Sequence, residues 1–342
     1  MEPAAAPPRR LDGREIAQAT EPNASSFEGG SRSGEVTSRS SKNLAQAIAR
    51  LTSLHHGESA VSDVVAFGKS AVPALRDLLF RREPSGLFQV RCRAVEALAA
   101  VRAYDVLVDF LGDHDAAADP IEALGDDAVT NAAAQGLKSL HDERVFRLML
   151  QLAQRPALTG VVDALAAYRR VEAIPALIAS LEDDASRGAA EAGLVKMGRV
   201  ARTALIKSAR ERRPSSGCES ESSLRRRRSA LKLLGLIGIS RRTWLEIRGL
   251  VWDKDPKLSF LGCRLGLPNA PAVELQDIVA RMLSLWAGAD WMLRGEIEQS
   301  LVAHFDKLSQ IFVQYAGAAG PCPSRDPDVD RLLQRVRTSG HR

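Results

Sequence analysis

The run RRRR at 225–228 is the densest charge in the sequence, and Arg212, Arg213, Arg241 and Arg242 lie close by. Guanidinium groups hold carboxylate and phosphate oxygens, so the chemistry on offer is anion binding. Four consecutive residues sample about 300° around a helix, so the run is not a one-sided stripe. Arg227 reads as structural. Arg228, four residues after Leu224 and three before Leu231, falls on an apolar stripe and would lay its stem along a neighbouring element. Cations near a helix N-terminus oppose the macrodipole, which Glu219 and Glu221 partly offset. Keeping four arginines there points to an anionic partner bound through Arg212, Arg213, Arg225, Arg226, Arg228, Arg241 and Arg242. A solvated basic edge is the plainer alternative.

Three other groups of residues invite chemistry. The acidic stretch GDHDAAADPIEALGDD offers Asp113, His114, Asp115 and Asp119, but it lacks the alternating spacing of a calcium loop. Asp119 followed by Pro120 and Glu122 fits a helix start better, as N-cap, N1 proline and capping acid. Asp113 and Asp115 remain as acidic binding candidates. His55 and His56 precede Glu58, without the repeated ligand spacing a metal centre needs. Trp286 and Asp290 are four apart, with Trp291 adjacent, and Asp290 after Gly288 reads as a helix N-cap. No Ser-His-Asp order, phosphate-binding glycine loop or nucleophile elbow is present, so no catalytic residue, metal ligand or cofactor is expected.

The elements that must position these residues are helical. Hydrophobic residues make up 45% of the chain, charged residues 26% and aromatics only 5%. That balance suits closely packed helices better than β-sandwiches. With 342 residues, the chain exceeds what one compact core accommodates, so it is two domains or an open-ended repeat array. The repeat is legible at 158–213, where Leu165 and Leu194 stand in equivalent places 29 residues apart. The template is a leucine with small residues four and one before it and a large apolar residue three after. Leu98, Leu137 and Leu194 fit it, Leu165 and Leu234 fit in part, and Val64 is the weakest match. Each first helix is followed by a second with an i, i+3, i+4 stripe: Leu107, Phe110, Leu111; Phe146, Met149, Leu150; Ile174, Leu177, Ile178. The intervals of 34, 39, 28, 29 and 40 residues give a unit of 28–29 with insertions at 112–126 and 214–223. Such a period is the signature of a solenoid, and both insertions are expected to project from one edge of it.

The motif R-x-x-A-x-x-[AG]-L, at Arg91–Leu98, Arg187–Leu194 and Arg227–Leu234, resembles short HEAT-like repeats of the phycobilisome-lyase type. So do AVPAL at 71–75 and AIPAL at 173–177. The resemblance covers about 58–266. It implies an all-α, right-handed α-solenoid of six to eight helical hairpins and specifies fold rather than activity. Two enzyme families built on related repeats find no support in the residues. The deoxyhypusine hydroxylases bind iron through His-Glu dipeptides, and the sequence has none. In the alkylated-base DNA glycosylases, Trp and Asp side chains act in a groove, whereas here Trp286 and Asp290 fit a helix cap.

Residues 1–42, rich in Ala, Pro, Ser and Gly, are expected to be a disordered tail, with a short helix possible near 11–19. Folded structure is expected over 43–316, opening at Asn43 as N-cap and closing on one long capping helix from Asp290. A flexible tail would follow over 317–342, with at most a short helix at 328–337. Cys92, Cys218, Cys263 and Cys322 form no CxxC pair, and Cys92 and Cys263 look like small buried apolar residues. That usage and the absence of a membrane-length apolar run or a leader pattern make the cytoplasm the expected home.

Charge is uneven. The stretch 105–127 carries eight acids and no Lys or Arg, while 199–248 carries fourteen Lys and Arg against four acids. The expected function is a non-catalytic protein-binding scaffold that uses a concave surface lined by second helices, and the charged insertions. The alternatives are nucleic-acid binding through 199–248, or a bilin-lyase-like enzyme or chaperone.

Overall fold

A computed structural model describes residues 32–53, 55–82, 87–113, 119–215, 218–317, 331–332, 334–336 and 338. Residues 1–31, His114, Asp115 and Cys322, with the expectations attached to them, lie outside the described residues. By internal contacts the chain divides into Met1–Ala45 and Gln46–Arg342. Among the described residues the fold is all-α apart from one antiparallel pair of two-residue strands, β1 (Pro214–Ser215) and β2 (Cys218–Glu219), within the second insertion.

The first helix, α1 (Arg32–Leu51), begins well before the expected cap, and Asn43 lies in its interior. Once the turns near Leu51 exist, adding polar residues upstream needs only one backbone bond each and no burial. Six hairpins follow, each a first helix and a second: α2 (Gly57–Val65) with α3 (Val72–Phe80); α4 (Gln89–Ala100) with α5 (Tyr104–Gly112); α6 (Pro120–Leu137) with α7 (Glu143–Leu152); α8 (Thr159–Ala167) with α9 (Ile174–Ser180); α10 (Arg187–Met197) with α11 (Arg202–Arg210); and α12 (Glu221–Ile237) with α13 (Arg241–Ile247). Four more helices close the order: α14 (Pro256–Asn269), α15 (Ala272–Gly288), α16 (Trp291–Ala303) and α17 (Phe305–Gly317). Helical residues at 331–332, 334–336 and 338 answer to the short helix expected near the C-terminus.

Local chemistry fixes the helix starts. Asp119, Asp142, Ser220, Ser240, Asp255 and Asp290 each accept a backbone N–H of the first turn, which satisfies a donor that has no partner within the helix. Pro73 and Pro175 stand in the first turns of α3 and α9, where no N–H is needed. The long final helix breaks at His304, whose Nδ1 meets the Ser300 carbonyl oxygen at 3.0 Å. The stripe Leu293, Ile297, Leu301, Phe305, Leu308, Phe312 is nonetheless buried throughout.

The repeat positions form the core. Val64, Leu98, Leu137, Leu165, Leu194 and Leu234 are all fully buried, as are Ala60, Ala94, Ala133, Ala190 and Ala230 four residues before them. Each first helix packs on the next, from α2 through α4, α6, α8, α10 and α12 to α14. Small residues let these backbones approach. A methyl on Gly160 would stand 2.5 Å from the Asn131 carbonyl oxygen, and one on Gly193 would stand 2.5 Å from the Ala166 Cβ. Hydrogen bonds between units recur at about the sequence period. The Gly160 N–H donates to Asn131 Oδ1 (2.7 Å), Gln135 Nε2 to Asp163 (2.9 Å) and the Tyr168 hydroxyl to the Leu140 carbonyl (2.5 Å), over separations of 28–29 residues.

Candidate functional site

The arginine run opens α12, and its four members part company. Arg227 is 0% exposed: Nε donates to the Ala209 carbonyl (2.9 Å), one terminal nitrogen to Glu219 (2.6 Å) and the other to Asp253 (2.6 Å). Arg226 is 1% exposed and donates to the Glu211 carbonyl (2.7 Å). Its Nε lies 3.3 Å from a Glu182 oxygen but outside hydrogen-bonding geometry, so it is buried without a hydrogen-bond partner. Burial, followed by the neighbouring charge of Arg213, lowers the Arg226 pKa from its usual value. Arg228 grips both oxygens of Asp255, at 3.1 and 2.6 Å, across to α14. Arg225 meets Asp184 at 2.9 Å and the Glu182 carbonyl at 3.2 Å.

The other expected basic residues divide in the same way. Arg212 pairs with Asp253 (2.8 Å) and Arg213 with Glu182 (2.5 Å). Arg241 and Arg242 are exposed, with no ion-pair partner among the described residues. Asp113, the C-cap of α5, is exposed. The run is therefore not an open anion-binding patch. Arg226 and Arg227 point inward because acids distant in sequence, Glu182 and Asp253, stand where α12 packs. Arg228 is half-buried and reaches the following unit, in line with its place on the apolar stripe.

Arg227 has a counterpart in Arg91, seven residues before its own reference leucine. Arg91 Nε donates to the Leu79 carbonyl (2.8 Å), and a terminal nitrogen donates to Asp126 (2.6 Å). Both arginines cap the penultimate carbonyl of the preceding second helix, which lacks a partner within its helix, and both then clamp a buried aspartate. Burial works to raise the Asp126 pKa, but the hydrogen bonds and charges of Arg91 and Arg82 outweigh it and hold it below the ordinary value. Asp253 is likewise lowered: burial raises it, while the Asp255 N–H, Arg227 and Arg212 bring it down. A carboxyl with a depressed pKa in the folded chain stabilises the fold above its unfolded value of about 3.9, and this stability is lost as pH falls through the folded pKa. The urea midpoint should therefore hold steady from pH 7 to about pH 5 and fall below about pH 4. Asp126→Asn should lower it at pH 7 and flatten the acid limb. An acid limb identical to that of the parent would remove this role.

The third arginine of the motif behaves differently. Arg187 meets only the exposed Asp184, at 2.7 Å, and its guanidinium faces a groove of about 470 Å³. The groove runs over α10, α12 and α14 to α16. Its lining holds six cations, Arg187, Arg225, Arg228, Lys232, Lys257 and Arg264, against the single acid Glu296. Lys232 pairs with Glu191 (2.8 Å). Lys257 and Arg264 make no ion pair among the described residues, and Arg264 lies over the Phe260 ring at 5.9 Å. They are two turns apart on α14, about 10 Å along its axis. Leu261 is part of the same wall.

Sequence reasoning found Arg225 and Arg228 of this groove but not the others, because four helices contribute to it. One signal was available. Arg264 follows Leu261 by three, where other units carry Val101, Leu140, Met197 or Ile237, so a cation replaces the apolar filler of the repeat.

The remaining candidates are structural in geometry. Asp290 accepts the Leu293 N–H at 2.8 Å as an N-cap. Trp286 is buried beneath the Arg294 guanidinium, 4.8 Å from its ring centre, and Trp291 is exposed. His55 and His56 touch edge to face, and no group of three His, Cys, Asp or Glu among the described residues could hold a metal ion. Burial pushes the Cys263 thiol up to about 12, as suits an apolar filler, and Cys218 is exposed. No helix among the described residues is long and apolar enough to cross a membrane.

No protein-family model matches the sequence, and no curated protein matches it either.

Proposed function

We propose that this chain is a non-catalytic binding scaffold, a right-handed α-solenoid of HEAT-like hairpins that presents the basic groove to a protein partner. The observation that carries this reading is the groove itself, lined by six cations of which two, Lys257 and Arg264, make no ion pair among the described residues. Support for the solenoid comes from the unbroken row of first helices and from the bonds between units at the repeat period. The concave side, expected on the second helices, is better assigned to the first. Their contacts at Gly160 and Gly193 are too close for an added methyl, and the more tightly spaced layer of a curved stack lies inside.

A protein suits the groove better than nucleic acid. Asp184, Glu191, Glu221 and Asp255 are interspersed among the cations and already neutralise many of them. A polyphosphate carries a charge at every step and would meet these acids along its length. A folded or extended polypeptide can place its acids selectively.

The test is affinity purification of the intact protein beside a Lys257→Glu/Arg264→Glu variant. Arg226 is unsuitable for substitution because its burial would confuse binding with folding. We expect a partner that survives nuclease treatment and is lost from the variant. Recovery of the same proteins by both, or nuclease-sensitive recovery, would overturn the proposal.

A further inference from the structure

Resting on the scaffold reading, we infer that the groove binds an extended acidic peptide segment of its partner, whose carboxylates take Lys257 and Arg264 and displace Asp184 from Arg187 and Arg225. The groove crosses three neighbouring first helices. Helix axes in contact lie roughly 8–10 Å apart, so the span from Arg187 on α10 to α14 is about 16–20 Å. An extended chain rises about 3.3 Å per residue and covers that distance in five or six residues.

The groove already accepts carboxylates. Asp184 bridges Arg187 (2.7 Å) and Arg225 (2.9 Å), yet its side chain is 63% exposed. An exposed bridge of this kind is worth little and can swing into water when a competing carboxylate arrives. The remaining pairs are firmer. Arg228 is held by both oxygens of Asp255, and Ser229 donates to Glu191 at 2.6 Å while Lys232 takes the other oxygen. Two exchangeable cations therefore face two unpaired ones across the groove. Leu261 gives the bound backbone an apolar contact in the wall, beside the Arg264 guanidinium that lies over the Phe260 ring.

The single negative charge of each carboxylate matters. A phosphoryl group brings nearly twice that charge beside Glu296 and Asp184, so its repulsion is larger. Consecutive Asp or Glu residues distribute charge along the span instead.

The experiment is fluorescence anisotropy with labelled hexaglutamate and, separately, labelled oligo(dT) of equal charge, at 50 and 200 mM NaCl. Hexaglutamate should bind at 50 mM salt and weaken at 200 mM. The Lys257→Ala/Arg264→Ala variant should bind it roughly tenfold less well, with its urea midpoint unchanged. Asp184→Asn, which frees Arg187 and leaves Arg225 only the Glu182 carbonyl and the distant Glu221, should bind several-fold more tightly. No binding at 50 mM salt, tighter binding of oligo(dT), or affinity indifferent to the α14 variant would overturn the inference. Unchanged affinity in Asp184→Asn would overturn the exchange. If hexaglutamate fails while the purified partner still depends on Lys257 and Arg264, the peptide inference falls and the scaffold reading stands. If hexaglutamate binding needs the groove but partner capture does not, the scaffold reading falls instead.

Discussion

Asp253→Ala is expected to destabilise the protein by about 3–5 kcal/mol, the usual cost of removing one partner of a buried ion pair. Asp253 is 2% exposed and takes hydrogen bonds from Arg227 at 2.6 Å and Arg212 at 2.8 Å. Its second oxygen accepts the Asp255 N–H at 3.0 Å and so holds the start of α14. Without it, Arg227 keeps Glu219 and the Ala209 carbonyl but retains a terminal nitrogen with no acid in a site that excludes water. The control is Asp184→Ala, whose exposed carboxylate also touches two arginines and should shift stability by no more than about 0.5 kcal/mol. Urea midpoints compare the two. Equal shifts would mean that the buried clamp contributes no more than a surface pair.

Gly160→Ala is expected to cost about 1–3 kcal/mol through overpacking. The new methyl would meet the Asn131 carbonyl oxygen, Cα and carbonyl carbon at 2.5, 2.8 and 2.9 Å, all of them backbone atoms that cannot rotate aside. α8 would have to move from α6, and the Gly160 N–H to Asn131 Oδ1 bond would lengthen. Gly193→Ala should behave similarly, since its 2.5 Å contact is the Ala166 Cβ, which the backbone fixes in place. Gly188→Ala should have the opposite sign. Nothing lies within 4 Å of a methyl there, so replacing a helical glycine should stabilise by a few tenths to about 1 kcal/mol. If all three substitutions moved the urea midpoint alike, helix propensity rather than close approach would govern these positions.

The hairpins were legible because the repeat writes its packing into single residues. Ala94 and Leu98, or Ala190 and Leu194, report small and large partners at fixed spacing, and their burial follows. The break at His304 was hidden because the apolar stripe continues in phase from Leu301 to Phe305. The start of α1 was hidden because a polar helical extension leaves no periodic mark. The fate of the arginine run was harder still to read. Arg226 and Arg227 are buried by Glu182 and Asp253, and nothing near 225–228 announces acids contributed by neighbouring units. The groove was partly visible through Arg264, whose place in the repeat belongs to an apolar side chain.

Arg91 and Arg227 each fasten the end of one second helix to an aspartate farther along the chain, whereas Arg187, at the same place in the motif, holds only exposed Asp184. The junction between α9 and α10 thus lacks the buried arginine–aspartate latch that Arg91 supplies at α4 and Arg227 at α12. Because α10, α12 and α14 all lie beyond it, the pairs that set the groove's internal spacing, Arg228 with Asp255 and Lys232 with Glu191, do not depend on that junction.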